Sequence, residues 1–197
     1  MKPERTSEIK RKTAETDISL RFGLDGTGKY SISTGVPFFD HLLELFTKHG
    51  RFDFEIEAKG DVEVDYHHLV EDTGITLGDA FGEAIGKKGG IRRFASCYVP
   101  MDEALARVCV DISGRAYISY DVEIPDPIIL HFNAGLIEEF LRAFVHRAEI
   151  NLHMDSIRGK NAHHIVEACF KAFGVALHDA TRITGISSDI PSTKGVL

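Results

Sequence analysis

The feature that most constrains this chain is a histidine-pair motif that occurs twice. One copy reads Asp65-Tyr66-His67-His68-Leu69-Val70-Glu71, the other Asn161-Ala162-His163-His164-Ile165-Val166-Glu167, 96 positions apart in a chain of 197 residues. Both have the form Asx-x-His-His-aliphatic-Val-Glu, which divides the chain into two halves with one motif each. Each motif opens an amphipathic stretch, with Asp65 or Asn161 standing where a helix N-cap belongs. On a helix the first His and the Glu are four apart and share a face, whereas the second His is turned away by about 100°. His67 with Glu71, and His163 with Glu167, can therefore each chelate one ion. His68 and His164 must point to a different ion or to nothing. Two such helices face to face would hold two metals, each helix giving a His/Glu pair to one and a lone His to the other. A surface His-His with a chance Glu explains one copy, but it does not explain two at a matched offset.

Composition narrows the class. A hydrophobic content of 43% with 27% charged residues is that of an ordinary globular chain, long enough for one domain or two small ones fused. The net charge of −7 argues against a general nucleic-acid surface. No apolar run approaches the ~18 residues of a membrane span. Met1-Lys2-Pro3-Glu4-Arg5 carries no apolar signal segment, so a cytoplasmic protein is expected. Cys97, Cys109 and Cys169 are scattered and odd in number, and are expected to be buried reduced thiols.

Periodicity supplies the elements. Residues 7–12 and 16–24 predict a hairpin, and Lys29–Ser33 a short strand. Phe39, Leu42, Leu43 and Phe46 form the core stripe of a helix introduced by Thr34-Gly35-Val36-Pro37. Phe52–Ala58 alternates as a half-buried strand before the first motif helix. In that helix Gly74, Gly78, Gly82 and Gly86 recur every fourth residue, at a propensity cost of about 1 kcal/mol each, which predicts a smooth face for close approach of a helix or chain. Beyond Lys87-Lys88-Gly89-Gly90 the pattern restarts: strands over 94–100, 105–112 and 116–124, a turn at Pro125-Asp126-Pro127, a helix over 135–148, a strand over 149–154, and the second motif helix to about Thr181. The halves, 1–88 and 89–197, thus share one order of elements. Gly78 and Gly174 keep the 96-residue offset, as do Phe81 and Leu177, and Asp40–Phe46 echoes Glu138–Phe144 with Glu139 answering to His41. His41 and Glu139 are accordingly carried as the fourth donor of each ion. The expected fold is α+β, a duplicated β-β-β-α-β-α unit forming one compact domain, with two four-stranded, mostly antiparallel sheets and the helices packed between them.

Together these motifs resemble the imidazoleglycerol-phosphate dehydratase family. The resemblance covers nearly the whole chain. It rests on Arg11-Lys12-Thr13-Ala14-Glu15-Thr16, Leu24-Asp25-Gly26-Thr27-Gly28, Thr34–His41, both His-His-x-x-Glu motifs, Pro100-Met101-Asp102-Glu103-Ala104, Asp111-Ile112-Ser113-Gly114-Arg115 and the tail Ile190–Leu197. It implies a lyase of L-histidine biosynthesis that removes water from D-erythro-imidazole glycerol phosphate to give imidazole acetol phosphate. It also implies two manganese ions and shells of 24 subunits with sites between chains. Family ligands match His41, His68, His163 and Glu167 at one ion, and His67, Glu71 and His164 at the other, with Glu139 where many members carry His. Leu69 stands where Thr is commoner.

A substrate imidazolate between the ions would act as an electron sink. Glu15 matches the family's substrate-contacting glutamate and is the residue expected to move the proton, with Glu71 and Glu167 as alternative carriers. Substrate contacts are implied for Glu15, His41, His67, His68 and His163. Arg93, Arg115, Lys171, Ser192, Thr193 and Lys194 match phosphate and substrate contacts, although the tail by composition alone is only a flexible end. Two rival functions remain at this stage: a dinuclear metallohydrolase, and a non-catalytic oligomer stapled by metal.

Overall fold

A computed structural model describes residues 5–186, 189–195 and 197. Strands β1 (Thr6–Lys12) and β2 (Thr16–Gly23) form the first hairpin, and the alternation of β2 buries Thr16, Ile18, Leu20 and Phe22 on one face. Strand β3 (Tyr30–Ser33) feeds helix α1 (Pro37–Gly50), and β4 (Asp53–Gly60) leads to helix α2 (His67–Ile85). The second half repeats this with β5 (Phe94–Met101), β6 (Ala104–Asp111), β7 (Tyr117–Asp121), a small hairpin of β8 (Ile128–Ile129) and β9 (Phe132–Asn133), α3 (Leu136–Ala148), β10 (Asn151–Arg158) and α4 (Ala162–Thr181). The sheet orders match, β1-β2-β4-β3 and β5-β6-β10-β7. In each sheet two strand pairs are antiparallel and one is parallel, β3 with β4 and β7 with β10. The parallel pair follows from the connection, since a helix carries the chain back to the same end of the sheet before the next strand starts.

The halves exchange their helices. Helix α1 packs on α4 and α3 on α2, while α2 covers the first sheet and α4 the second. Two of the four spaced glycines in α2 carry the close approach. A Cβ on Gly74 would lie 2.5 Å from the Phe140 carbonyl oxygen, and one on Gly78 would lie 2.7 Å from that of Phe144. Gly82 and Gly86 take no part in that contact: nothing comes nearer than 3.9 Å to a Cβ on Gly82, and Gly86 ends the helix at φ 60°. In the second half Gly174 repeats the role of Gly78, its Cβ position 2.4 Å from the Phe46 carbonyl oxygen. Phe46 and Phe144 are themselves equivalent positions of the repeat, so the two crossings are mates. Rings join the halves: Phe46 lies 4.9 Å and Phe144 5.4 Å from Phe173, within one continuous apolar core.

The β8–β9 hairpin interrupts the repeat and is absent from the periodicity, because two-residue strands are too short to alternate. It delivers the buried Phe132 against Phe38 and Phe39, with ring centroids 5.6 and 6.2 Å apart. Phe38 in turn lies 5.3 Å from the His163 ring, so the hairpin braces the end of α1 at which His41 stands. Among the described residues no helix is long and apolar enough to cross a membrane.

Candidate active site

Both motifs sit at helix N-termini; Asn161 is the N-cap of α4 as expected, whereas α2 begins one residue later in its motif, so that Tyr66 and not Asp65 stands at its N-cap. The Asp65 carboxylate accepts the His67 backbone N–H at 2.7 Å, and the Asn161 side-chain oxygen accepts that of His163 at 3.0 Å. Such Asx bonds satisfy a donor that the first helical turn leaves open. From there the helix period separates neighbouring rings. His67 and His68 stand at 88° to one another and His163 and His164 at 89°.

In the α1–α4 crossing, the Nε2 atoms of His41 and His163 each lie 2.7 Å from Oε1 of Glu167. Lys171, one turn further along α4, donates to Oε2 of Glu167 at 2.7 Å and contacts the Met101 sulfur at 3.2 Å. Burial opposes ionisation of Glu167, but the bonds from Lys171, His41 and His163 outweigh it and bring the carboxyl down to about 2. The result is a buried, ionised carboxylate facing two imidazole nitrogens. All three donor atoms lie within 4.8 Å of one another.

In the α2–α3 crossing His67 Nε2 and Glu71 Oε2 are 3.9 Å apart on one face of α2. They belong to no comparable three-residue cluster among the described residues. Glu139 lies in the first turn of α3 and is partly exposed, at the position equivalent to His41 on α1.

The lone histidines do not join these pairs within the chain; carboxylates hold them apart. His68 Nδ1 lies 3.0 Å from Asp61, and His164 Nδ1 lies 2.7 Å from Glu103. Each bond raises the pKa of its imidazole and, in the neutral ring, directs the proton to Nδ1 and leaves Nε2 as the open donor. Glu103 also accepts the backbone N–H groups of Lys160 and Asn161 at 3.1 and 2.8 Å, and with His164 these hold its carboxyl at about 2. Asp102 lies 3.7 Å from Nε2 of His164, and Glu15, at the tip of the β1–β2 hairpin, lies 3.8 Å from Nε2 of His68. Asp61, Asp102 and Glu103 received no role from the sequence. Glu103 was detectable there: it stands 88 positions after Glu15 at the same place in the equivalent hairpin turn.

A third group lies around the C-terminal tail. Arg93, Arg115, Ser192, Thr193 and Lys194 line one cleft of about 500 Å³. Arg93 is fixed by Asp111 at 2.7 Å and by the Pro191 carbonyl oxygen at 2.7 Å. The tail is pinned upstream too, since Thr184 N–H donates to the Gly90 carbonyl oxygen and Gly90 N–H to that of Asp189. Lys171 stands apart from this cleft, engaged with Glu167.

A family model of imidazoleglycerol-phosphate dehydratase matches residues 34–177. The chain belongs to this family. The matched stretch contains all eight ligand candidates, and similarity to whole relatives covers 98% of the chain. The chain is 54% identical over 193 residues to imidazoleglycerol-phosphate dehydratase of Thermoanaerobacter sp. strain X514, covering 98% of this chain and all of the relative. It is 53% identical over 194 residues to the protein of that name in Acetivibrio thermocellus, with the same coverage. Crystal structures agree: imidazoleglycerol-phosphate dehydratase of Staphylococcus aureus superposes with a TM-score of 0.82 at 40% identity, over 92% of this chain and 99% of that one. The Pyrococcus furiosus enzyme in complex with (S)-C348 gives 0.83 at 40% identity, over 96% and 100%. As an imidazoleglycerol-phosphate dehydratase the chain is an enzyme of the hydro-lyase class.

Proposed function

We propose that the chain removes water from D-erythro-imidazole glycerol phosphate to give imidazole acetol phosphate, in cytoplasmic L-histidine biosynthesis. It does so at a site for two manganese ions that a second copy of the chain completes, in an assembly of 24 subunits. The observation that carries this is the direction of the four motif histidines. Each chelating His faces its Glu, whereas each lone His is tethered by Nδ1 and offers Nε2 away from its own helix's pair. An ion taken up at such an Nε2 would draw its remaining ligands from elsewhere, and the other motif helix of a neighbouring copy would supply the complementary half.

The donor chemistry fits the metal. Two imidazole nitrogens and an ionised carboxylate suit a borderline-hard divalent ion. His41, His163 and Glu167 with the partner's His68 would hold one ion, and His67, Glu71 and Glu139 with the partner's His164 the other. Glu139 offers oxygen in place of nitrogen, which suits manganese equally. Bound there, manganese supplies Lewis-acid stabilisation of negative charge developing on the substrate's imidazole.

The chain's own groups supply the rest. Lys171 holds Glu167 ionised and in one rotamer, keeping it ready to accept from or ligate a cation. Glu15 is exposed beside His68 and, unlike Glu103, has no tight side-chain partner among the described residues; it takes the proton from the carbon next to the ring. Arg115 and Lys194, with the Ser192 and Thr193 hydroxyls, form a cationic and hydrogen-bonding end for the phosphate, and Arg93 braces the tail that carries them. Protein loaded with manganese and given imidazole glycerol phosphate should form the enolised ketone, followed by its absorbance. Protein holding both ions and making no product would contradict the proposal.

A further inference from the structure

The internal repeat makes each half a control for the other, and its two hairpin turns are held by different chemistry. Thr13-Ala14-Glu15-Thr16 joins β1 to β2, and Met101-Asp102-Glu103-Ala104 joins β5 to β6, with Glu15 and Glu103 at the same place. In the second half, where α4 packs on β5 and β6, the corresponding positions are apolar: Val99 on β5, the buried Ala104 at the start of β6 and the buried Ala168 on α4. The equivalent positions of the first half are Arg11, Thr16 and Asp72, and they form a hydrogen-bonded group. Arg11 Nε donates to Asp72 Oδ1 at 2.9 Å, and the Thr16 hydroxyl donates to Oδ2. Asp72 is 7% exposed and Thr16 4%.

Burying a carboxylate carries a desolvation penalty that a paired arginine at best offsets. The second half shows that the fold docks the same hairpin without one. What differs is the state of the glutamate at the tip. Glu103 is tied down by His164 and two backbone N–H groups. Glu15 is more than half exposed, and its nearest charged partner is His68 at 3.8 Å. A free carboxylate has to be placed by its backbone, and the backbone of Glu15 is bracketed. Its N–H donates to the Thr13 hydroxyl oxygen at 3.1 Å, and its carbonyl oxygen accepts the Asp61 N–H at 3.1 Å. The Thr13 hydroxyl meets that of Thr16 at 3.1 Å, and Thr16 hangs from Asp72. Asp72 follows Glu71 on α2, so the helix that carries His67, His68 and Glu71 also sets where the tip glutamate sits.

We infer that Asp72 is a positioning residue for Glu15, retained as a buried charge because it fixes the hairpin tip relative to the ligand-bearing turn of α2. The inference rests on the proton-transfer role of Glu15, and the experiment separates the two. In the holoenzyme, the triple replacement Arg11→Val, Thr16→Ala and Asp72→Ala copies the packing of the second half and removes both partners together, which keeps the fold. It should assemble and bind manganese as wild type while kcat falls roughly 10–100-fold, the cost of a misplaced group. In a Glu15→Gln background the same triple replacement should change kcat by less than about threefold, because grouped residues act non-additively. Thr16→Val alone should lower kcat in the same direction with KM little changed. If Glu15→Gln alone leaves kcat intact, the proton-transfer role fails. If Glu15→Gln abolishes turnover but the triple replacement leaves kcat intact in the wild-type background, or manganese affinity falls in parallel with kcat, Asp72 does not act through Glu15. Should the triple variant fail to assemble, an unchanged kcat in Thr16→Val overturns the inference.

Discussion

Replacing Gly174 by alanine tests whether the helix exchange between the halves sets the geometry of the ligands. The new Cβ would stand 2.4 Å from the Phe46 carbonyl oxygen and 2.9 Å from the Gly50 nitrogen, both backbone atoms that no rotamer change can move. Ordinary contact requires α1 and α4 to part by about 1 Å, since carbon contacts are optimal near 3.5 Å or beyond. Overpacking of this kind costs about 1–3 kcal/mol. The same displacement separates His41 on α1 from Glu167 on α4, whose Oε1 now lies 2.7 Å from Nε2 of both His41 and His163. An ångström of misplacement lowers turnover by up to about 100-fold. Gly82→Ala is the internal contrast: its Cβ would meet nothing nearer than 3.9 Å, and helix propensity alone favours it by up to about 1 kcal/mol. Denaturant unfolding at one protein concentration, together with steady-state turnover, measures both. Gly174→Ala should be less stable and slower, and Gly82→Ala as stable or more so and active. Wild-type stability and kcat in Gly174→Ala would refute the argument that this crossing positions the site.

Three further outcomes are expected. Glu103→Gln leaves His164 without its anionic tether and should weaken manganese binding at one of the two ions about 10–100-fold, measured by chelator competition, as loss of such supporting partners does. Lys194→Ala and Arg115→Ala should raise KM by about tenfold or more with a smaller change in kcat, because they remove charge-assisted binding of phosphate and leave the proton transfer in place. In metal-free protein Glu167 has its carboxyl depressed from 4.5 to about 2. The ionised group therefore contributes stability above about 4.5 that is lost as the pH falls through 2. Thermal melting against pH should show wild type above Glu167→Gln at neutrality and the two approaching one another on acidification.

The parts of this architecture that are local in sequence were legible there. The four-residue spacing of His67 with Glu71 and of His163 with Glu167 is a property of one helix turn, and so is the turning away of His68 and His164. The Asx entry of both helices and the repeated order of elements were readable for the same reason. What escaped depends on distant partners. Asp61 and Glu103 hold the lone histidines from outside their helices, Glu103 from 61 positions away, and periodicity carries no sign of that. The spaced glycines of α2 predicted close approach, but only the position of α3 decides that Gly74 and Gly78 make the contact and that Gly82 and Gly86 do not. Hairpin β8–β9 lay between the turn at 125–127 and the helix from 135 without an assignment, because its strands are two residues long. The tail, by composition a loose end, is held by backbone bonds to Gly90 and by Arg93, pairings that no local pattern encodes.

In the proposed function a working site takes one motif helix from each of two chains. Subunit mixing tests it most directly. His68→Ala and His163→Ala each remove one donor, and each variant alone should assemble but not turn over. Co-assembled in equal amounts, sites that draw intact His68 from one chain and intact His163 from another should form at random, restoring about a quarter of wild-type activity if neighbours combine without preference. Two variants that assemble normally and recover no activity on mixing would show that both donors must come from the same chain, and would contradict the account.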